Sequence, residues 1–322
     1  MSSSAESSSA SARLVFFGSG GFAVPSLRTL VGAGHQVLAV VAQPDRPKGR
    51  GRRPAPPPVA EAARELGLAL LQPLQARAPE FVAEVRRLGG DLLVVAAYGQ
   101  ILPAGLLAAA ARGAVNLHAS LLPRYRGAAP IQWALLQGET TTGVTTMLME
   151  PKLDSGAILL QEAVAIGPEE NAAELEQRLA GLGAELLSRT IPLWLQDRLR
   201  PQAQDESRVS HAPKLSAALS PIDWRRAALE LHNQIRALVP WPVASTRLGS
   251  ERIRIWRARV MEGSGAPGAV LALTRSGLQV GCGSGTLELL EIQLEGRRRL
   301  SAAAAAHGLK LGPGAVFENP GG

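Results

Sequence analysis

The sequence has very little cysteine and few aromatic residues. Cys282 is the one cysteine among 322 residues, and Phe, Trp and Tyr together make up 4% of the chain. A single cysteine excludes an internal disulfide framework and any cysteine-rich metal site. It also suits a reducing compartment, where disulfides are rare. We therefore expect a cytoplasmic protein that holds no metal.

Long hydrophobic runs are also missing. No apolar stretch approaches the roughly 20 residues that a membrane-spanning helix needs. Residues 1–12 are rich in Ser and Ala and lack the basic segment and apolar core of a signal peptide. With 46% hydrophobic and 19% charged residues, the composition is typical of a soluble enzyme with room for two domains. We expect no association with a membrane.

Acidic residues are outnumbered by basic ones. The chain has 34 Lys and Arg against 27 Asp and Glu, a net charge of +7. Such a surplus favours a polyanionic partner, because basic side chains that neutralise phosphates release counterions. Coding sequences rich in G and C also drift toward arginine, so the charge alone leaves nucleic-acid binding open.

The first 200 residues alternate between patterns typical of buried strands and of helices. Strands are predicted at 13–17, 36–42, 91–97 and 114–118, and helices at 24–31, 59–66 and 171–187. The strands are apolar without alternation, as expected when helices cover both faces of a sheet. The order predicts an α/β fold with a doubly wound, mostly parallel sheet. Ligands of such sheets bind beyond the carboxyl ends of the strands, which is where His118 is expected.

The pattern changes from Pro221 onward. One helix is predicted at 222–238, followed by short strands at 252–260, 269–273, 277–280 and 287–294. Short strands separated by Gly and Ser predict a small β-barrel. The alternation changes phase after Trp256, which predicts a β-bulge there. We divide the chain into a first domain at 13–200, a polar linker at 201–220 and a second domain at 221–322.

A glycine-rich turn follows the first strand at 18–21. The turn does not complete the G-x-G-x-x-G fingerprint of dinucleotide sites, because position 23 is Ala. No acidic residue closes the second strand about 20 residues further on, as that fingerprint requires. We interpret the segment as a tight strand-to-helix turn.

Three polar residues form a candidate catalytic group. Asn116 and His118 lie two positions apart in a predicted strand, so they share one face. An amide donor beside an imidazole suits an oxygen on which negative charge develops. Asp154 offers a carboxylate that would orient the imidazole, hold it cationic or accept a proton through water. Each residue taken alone is more often structural, so spacing by itself does not establish catalysis.

The stretch from Asn116 to Asp154 resembles the signature of the folate-dependent formyltransferases. It contains their Asn-x-His pair, their Ser-Leu-Leu-Pro run and their distal Asp-x-Gly. The resemblance implies a Rossmann-like catalytic domain followed by an OB-like barrel, with 10-formyltetrahydrofolate as formyl donor. It implies that Asn116, His118 and Asp154 surround the formyl carbon. It further implies folate contacts from Ser120, Leu121, Leu122 and Pro123, and from the main chain of Gln100 and Leu102.

A basic segment follows the second predicted strand. It carries Arg46, Lys48, Arg50, Arg52 and Arg53 on a backbone interrupted by Pro and Gly. These interruptions disfavour a helix or central strand, and like charges keep the segment extended. The segment is similar to an insertion in the family members that formylate methionine on initiator tRNA. The resemblance implies that these cations bind initiator methionyl-tRNA. We further expect the protein to be a monomer.

Two alternatives stay open. A formyltransferase acting on a small amine, such as an amino sugar or glycinamide ribonucleotide, would share the central signature without needing the basic segment. An RNA-binding protein that has lost catalysis would keep the basic segment without needing the three polar residues.

Overall fold

The computed structural model describes residues 11–48, 53–309 and 311–320. The chain forms two compact units that interleave along the sequence. The first contains the chain up to Ala128, together with Thr142–Val164 and Glu176–Ala212. The second contains Ala129–Thr141, Ala165–Leu175 and the chain from Pro213 onward. Contiguous domains with boundaries at 200 and 221 stay a prediction.

The helices of the described residues, in chain order, are α1 Val24–Gly32, α2 Pro58–Glu65, α3 Pro79–Leu88, α4 Ala104–Leu107, α5 Pro130–Leu136, α6 Ala172–Leu195, α7 Ala228–Ala237 and α8 Ala302–Leu309. Several begin with Pro in the first turn, where no helical hydrogen bond is lost. No helix within the described part of the chain is long and apolar enough to cross a membrane.

The strands up to residue 212 are β1 Arg13–Gly18, β2 Gln36–Val41, β3 Arg46–Lys48, β4 Arg53–Ala55, β5 Leu70–Leu71, β6 Leu92–Ala96, β7 Ala114–His118, β8 Arg126–Gly127, β9 Thr141–Leu148, β10 Ile158–Ala165 and β11 His211–Ala212. Seven of them form one sheet in the order β10-β9-β7-β6-β1-β2-β5. Pairing is parallel from β7 to β5, and β9 runs antiparallel to β7. The predicted mostly parallel sheet is confirmed.

The strand order reverses direction between β1 and β6. From β1 the chain proceeds outward to β2 and β5, and then returns to the other side of β1 to form β6 and β7. Such a reversal opens a crevice at the carboxyl ends of the strands, where ligands of α/β sheets bind. The catalytic candidates on β7 lie one strand away from this point.

The second unit contains an antiparallel sheet. Its strands are β12 Ala244–Leu248, β13 Glu251–Met261, β14 Val270–Leu273, β15 Leu278–Gly281, β16 Thr286–Leu294 and β17 Leu300–Ser301, in the order β12-β13-β16-β15-β14 with β17 on β16. The register between β13 and β16 passes from Ile255 to Arg257 and leaves Trp256 without a partner residue. The bulge predicted at Trp256 is confirmed.

Two predicted helices have different bounds. The helix predicted from 222 begins only at Ala228, because earlier main-chain groups bond elsewhere: the Trp224 N–H donates to Asn319 Oδ1 at 2.8 Å. Helix α6 continues through Pro192 to Leu195, eight residues beyond the predicted end at 187. Leu187 and Ile191 are fully buried, so tertiary packing outweighs the local effect of the proline.

Candidate active site

Strand β7 places two of the predicted catalytic side chains. Asn116 and His118 lie on the same face of this strand, which is paired with β6 on one side and β9 on the other. Both side chains are buried, with 9% and 7% of their surface exposed. A buried amide and imidazole require polar partners, which makes their surroundings informative.

The ring of His118 is oriented by a main-chain oxygen. Its Nε2 atom lies 2.9 Å from the carbonyl oxygen of Tyr125. A carbonyl oxygen only accepts hydrogen bonds, so Nε2 carries a hydrogen and donates it. Tyr125 has a φ of 60°, in the left-handed region, and this conformation helps to aim its carbonyl. The other ring nitrogen, Nδ1, is therefore the one left for another partner.

Asp154 approaches that second nitrogen. Its Oδ2 atom lies 3.8 Å from Nδ1 of His118 and accepts a hydrogen bond from the Gly127 N–H at 2.8 Å. Asp154 itself has a φ of 49°. The nearby Gly156 is required by space, because a Cβ there would lie 1.8 Å from the carbonyl oxygen of Leu148. This explains the glycine of the Asp-x-Gly motif, and the structure brings the imidazole and the carboxylate together.

The predicted folate loop at 120–123 is held by neighbouring strands. The hydroxyl of Thr145, on β9, donates to the Ser120 carbonyl at 2.6 Å and accepts from the Leu122 N–H at 3.2 Å. Gln161, on β10, donates to the Leu122 carbonyl at 2.9 Å. The side chains of Ser120, Leu122 and Pro123 are buried, and that of Leu121 is half-buried. Sequence reasoning missed Thr145 and Gln161, because no motif separates them from other strand residues.

Gln100 and Leu102 have side chains committed to the fold. The Gln100 amide accepts from the Ala76 N–H at 2.8 Å and donates to the Leu74 carbonyl at 3.4 Å. Leu102 is 2% exposed and belongs to the core beside the sheet. Any contact with a folate from this segment therefore falls to main-chain groups, as the resemblance implies.

The basic segment forms a β-ribbon at its base. Strands β3 and β4 pair antiparallel, with Pro47 opposite Pro54. Two prolines fit opposite each other because only alternate pairs of an antiparallel ladder need N–H donors. Lys48 and Arg53 form the next pair of the ribbon, and Arg50 and Arg52 lie outside the described residues. The described part of the segment is thus extended, as expected, and it also has regular strand pairing, which the sequence does not predict.

Arg46 is anchored at the start of this ribbon. It is exposed, and its Nη2 donates to Gln43 Oε1 at 2.9 Å. Gln43 also donates to the Tyr98 carbonyl at 3.2 Å, and Gln72 donates to the Gln43 carbonyl at 2.9 Å. These bonds fix the direction in which the ribbon leaves the sheet.

A cavity of about 460 Å³ lies between the ribbon and the carboxyl ends of β1, β2 and β6. Its position matches the reversal of strand order, where a ligand is expected. Proline rings supply much of its wall, and polar groups are few. The cavity is lined by Ser19, Gln43, Pro44, Arg46, Pro47, Ala55, Pro56, Pro57, Pro58, Ala97, Tyr98 and Gly99.

Ser19 ties the three strand ends at this cavity together. Its hydroxyl donates to the Tyr98 carbonyl at 3.1 Å and accepts from the Gln43 N–H at 3.0 Å. We expect Ser19→Ala to lower the free energy of unfolding by about 1–2 kcal/mol, since the part-buried Gln43 N–H loses its partner and the Tyr98 carbonyl keeps only the bond from Gln43 Nε2. Ser19→Thr keeps the hydroxyl and is the control. Urea unfolding of both variants checks this, and equal midpoints would contradict the role.

The described residues offer neither a metal site nor a reactive cysteine. No group of three or more His, Cys, Asp or Glu in this part of the chain could hold a metal ion. Cys282 is buried, and burial raises the pKa of its thiol to about 11, which leaves it unreactive at neutral pH.

The chain matches two models of one family. A model described as formyl transferase matches residues 12–191, and one described as formyl transferase, C-terminal domain, matches residues 214–310. The methionyl-tRNA formyltransferase of Geobacter sulfurreducens is 48% identical over 302 residues, 94% of this chain and 95% of that protein. The protein of the same name from Solibacter usitatus is 49% identical over 301 residues, 93% of this chain and 96% of that protein.

Solved structures share the fold at lower identity. An N-formyltransferase from Helicobacter canadensis, solved with folinic acid and dTDP-3-aminofucose, has a TM-score of 0.67 at 17% identity, covering 87% of this chain and 99% of that chain. HypX from Aquifex aeolicus, in complex with tetrahydrofolic acid, has a TM-score of 0.66 at 17% identity, covering 94% of this chain and 48% of that chain. The two family models and the close relatives extend over both units, and the chain belongs to the formyl transferase family.

Proposed function

We propose that this enzyme transfers the formyl group of 10-formyltetrahydrofolate to the amino group of methionyl-initiator tRNA, giving N-formylmethionyl-tRNA. One observation carries the proposal: relatives named methionyl-tRNA formyltransferase are nearly half identical along almost the whole chain, including the second unit. Translation takes place in the cytosol, so the proposal places the enzyme there. It acts as a monomer.

The catalytic trio (Asn116, His118 and Asp154) supplies the polar groups that formyl transfer needs. The amine attacks the formyl carbon, and negative charge develops on the formyl oxygen. Asn116 donates a hydrogen bond to that oxygen, and His118 donates a second from a protonated Nδ1, because its Nε2 is held by Tyr125. The donor loses its bond between N10 and the formyl carbon.

Asp154 moves the proton in this reaction. Its carboxylate, fixed by the Gly127 N–H, takes a proton from the attacking amine through water and returns it to the departing N10. Asn116 and His118 are buried and Asp154 is 12% exposed, which suits this task because hydrogen bonds to a developing charge are stronger away from bulk water. Loop 120–123 and the main chain around Gln100 hold the folate beside these groups.

The ribbon of β3 and β4 and its neighbouring cavity receive the acceptor end of the tRNA. Arg46 is exposed at the rim of a cavity walled by proline rings. The apolar wall suits the methionine side chain, and the arginine suits the phosphates of the tRNA that carries it. Within the second unit, Arg254 and Arg257 of β13 are exposed and available to phosphates. Arg259 and Arg299 are less available, because Glu288 and Glu291 pair with them.

The test is formyl transfer from radiolabelled 10-formyltetrahydrofolate to charged initiator tRNA, charged elongator tRNA and a nucleotide-linked amino sugar. The proposal expects fast transfer to the initiator tRNA alone. Transfer to the amino sugar would favour the small-amine enzyme, and tight tRNA binding without transfer would favour an RNA-binding protein.

The positive charge of the ribbon should make tRNA binding depend more steeply on salt concentration. The double variant Arg46→Gln, Arg50→Gln removes two cations, each expected to lower the slope of log K against log salt by about 0.7–0.9. We expect weaker tRNA binding at low salt and a turnover number close to that of the wild type at saturating tRNA.

A matched control removes two cations elsewhere. Arg86 and Arg87 are exposed on α3, and Arg86→Gln, Arg87→Gln changes the net charge equally. Dissociation constants measured over a salt series should keep the wild-type slope in this control. A ribbon variant that also keeps the wild-type slope would show that the ribbon does not contact phosphates.

A further inference from the structure

The loop that carries Asp154 is held by one side-chain amide. Nε2 of Gln204 donates to the Asp154 carbonyl at 2.9 Å and to the Gly156 carbonyl at 2.8 Å. An amide nitrogen has two hydrogens, so both are used on this loop. No motif singles out Gln204, which lies in the polar stretch 201–220 that the sequence presents as a linker.

The amide oxygen of Gln204 is held in turn by a buried arginine. Arg126 is 2% exposed, and its Nε and Nη2 donate to Gln204 Oε1 at 3.0 and 2.8 Å. Its Nη2 also donates to Glu206 Oε1 at 2.8 Å. Because the guanidinium fixes which end of the amide is the oxygen, the NH₂ group can only point at the Asp154 loop.

Strand β8, which carries Arg126, also contacts the carboxylate of Asp154. Gly127 follows Arg126 in β8, and its N–H donates to Asp154 Oδ2. Strand β8 pairs with β11, and a Cβ on Gly127 would lie 2.5 Å from the Ala212 carbonyl oxygen, so the two strands approach closely. Gln204 thus holds the main chain of Asp154, and Gly127 holds its carboxylate. Gly127 is the neighbour of Arg126, which orients Gln204.

We infer that Gln204 is a positioning residue for formyl transfer, which rests on the proposed function. Asp154 has a φ of 49°, a conformation that persists only where the surroundings impose it. The two bonds from Gln204 impose it and keep Oδ2 3.8 Å from Nδ1 of His118. Without them the loop relaxes and the carboxylate moves away from the path of the proton.

Two variants remove the donors in different ways. Gln204→Met keeps the length of the side chain and removes all its hydrogen bonds. Gln204→Glu keeps an acceptor for Arg126 but offers no donor to the two carbonyls. We expect either variant to lower kcat by about 10- to 100-fold, since a 1 Å displacement of a catalytic group has an effect of this size. KM for the folate and for the tRNA should change by less than about threefold, because both ends of the Gln204 amide are bonded within the protein.

A neighbouring glutamine provides the matched control. Gln202 lies on the same segment with an exposed side chain, and only its main chain bonds to Ile158. Gln202→Met should leave kcat, both KM values and the melting temperature at wild-type values. If Gln204→Glu retains wild-type kcat, the donors are not needed and the inference is wrong.

A double-mutant cycle with Asp154→Asn separates positioning from general loss of structure. If Gln204 acts through Asp154, Gln204→Met in the Asp154→Asn background should lower the residual kcat by less than about twofold. An equal fold loss in both backgrounds would overturn the inference. Absence of transfer by the wild type would instead reject the proposed function, and an active wild type with an unimpaired Gln204→Met would reject the inference alone.

Discussion

Replacing His118 with Ala is expected to lower kcat by about 10²–10⁴, the usual contribution of a positioned acid or oxyanion donor. The imidazole is buried, it is oriented by the Tyr125 carbonyl, and its free nitrogen faces Asp154. Alanine removes both contacts, and in the proposed mechanism the formyl oxygen then has one hydrogen-bond donor instead of two. Single-turnover formyl transfer with saturating folate and charged initiator tRNA measures this loss directly.

Two comparisons make the His118 result specific. His211 is exposed on β11, and His211→Ala should stay within about twofold of wild type, as surface substitutions generally do. Binding of initiator tRNA by His118→Ala should also be unchanged, because the side chain is buried and lies away from the exposed basic residues of the ribbon. Near-normal turnover in His118→Ala would remove the imidazole from the mechanism.

The sequence predicts the sheet of the first unit well because its signals are local. Strand β7 is present at 114–118 as predicted, since a short apolar run bounded by a glycine is distinctive. The shared face of Asn116 and His118 follows from strand geometry alone. The place of Asp154 beside His118 follows from the resemblance and not from spacing, because its approach to His118 depends on a turn that no local pattern predicts.

What the sequence could not show is the set of groups that orient the trio. The Tyr125 carbonyl and the Gly127 N–H belong to the main chain, and side-chain identity does not record their direction. Gln204 lies 50 positions from Asp154 along the chain. Its polar surroundings are typical of a linker, and only the fold shows that they pack against the site.

The second unit shows the same limit at Trp224. Hydrophobic periodicity places this residue in a helix from 222, whereas the structure has it in a turn before α7. Its N–H bonds to Asn319, near the other end of the unit, and its ring stacks on Phe317 with centroids 5.5 Å apart. Contacts between residues more than 90 positions apart leave no periodic signal.

Trp224→Ala should consequently be among the most destabilising single substitutions in the chain. Trp224 is fully buried, and its indole N–H donates to Thr246 Oγ1 at 3.0 Å. Removing a buried tryptophan lowers the free energy of unfolding by about 3–5 kcal/mol, through lost burial and the cavity that remains. Phe317 loses its stacking partner at the same time, so its segment is left with main-chain bonds such as that from the Phe317 N–H to the Gly268 carbonyl.

Urea unfolding followed by far-ultraviolet circular dichroism tests this expectation. Trp241→Ala is the matched control, because Trp241 lies in the same unit with 55% of its surface exposed, and its midpoint should stay near that of the wild type. Trp224→Phe keeps a stacking partner for Phe317 and should have an intermediate midpoint.

If the units unfold separately, only one transition should shift in Trp224→Ala, which identifies that transition with the second unit. A midpoint for Trp224→Ala equal to that of Trp241→Ala would show that the stacked pair does not hold this unit together.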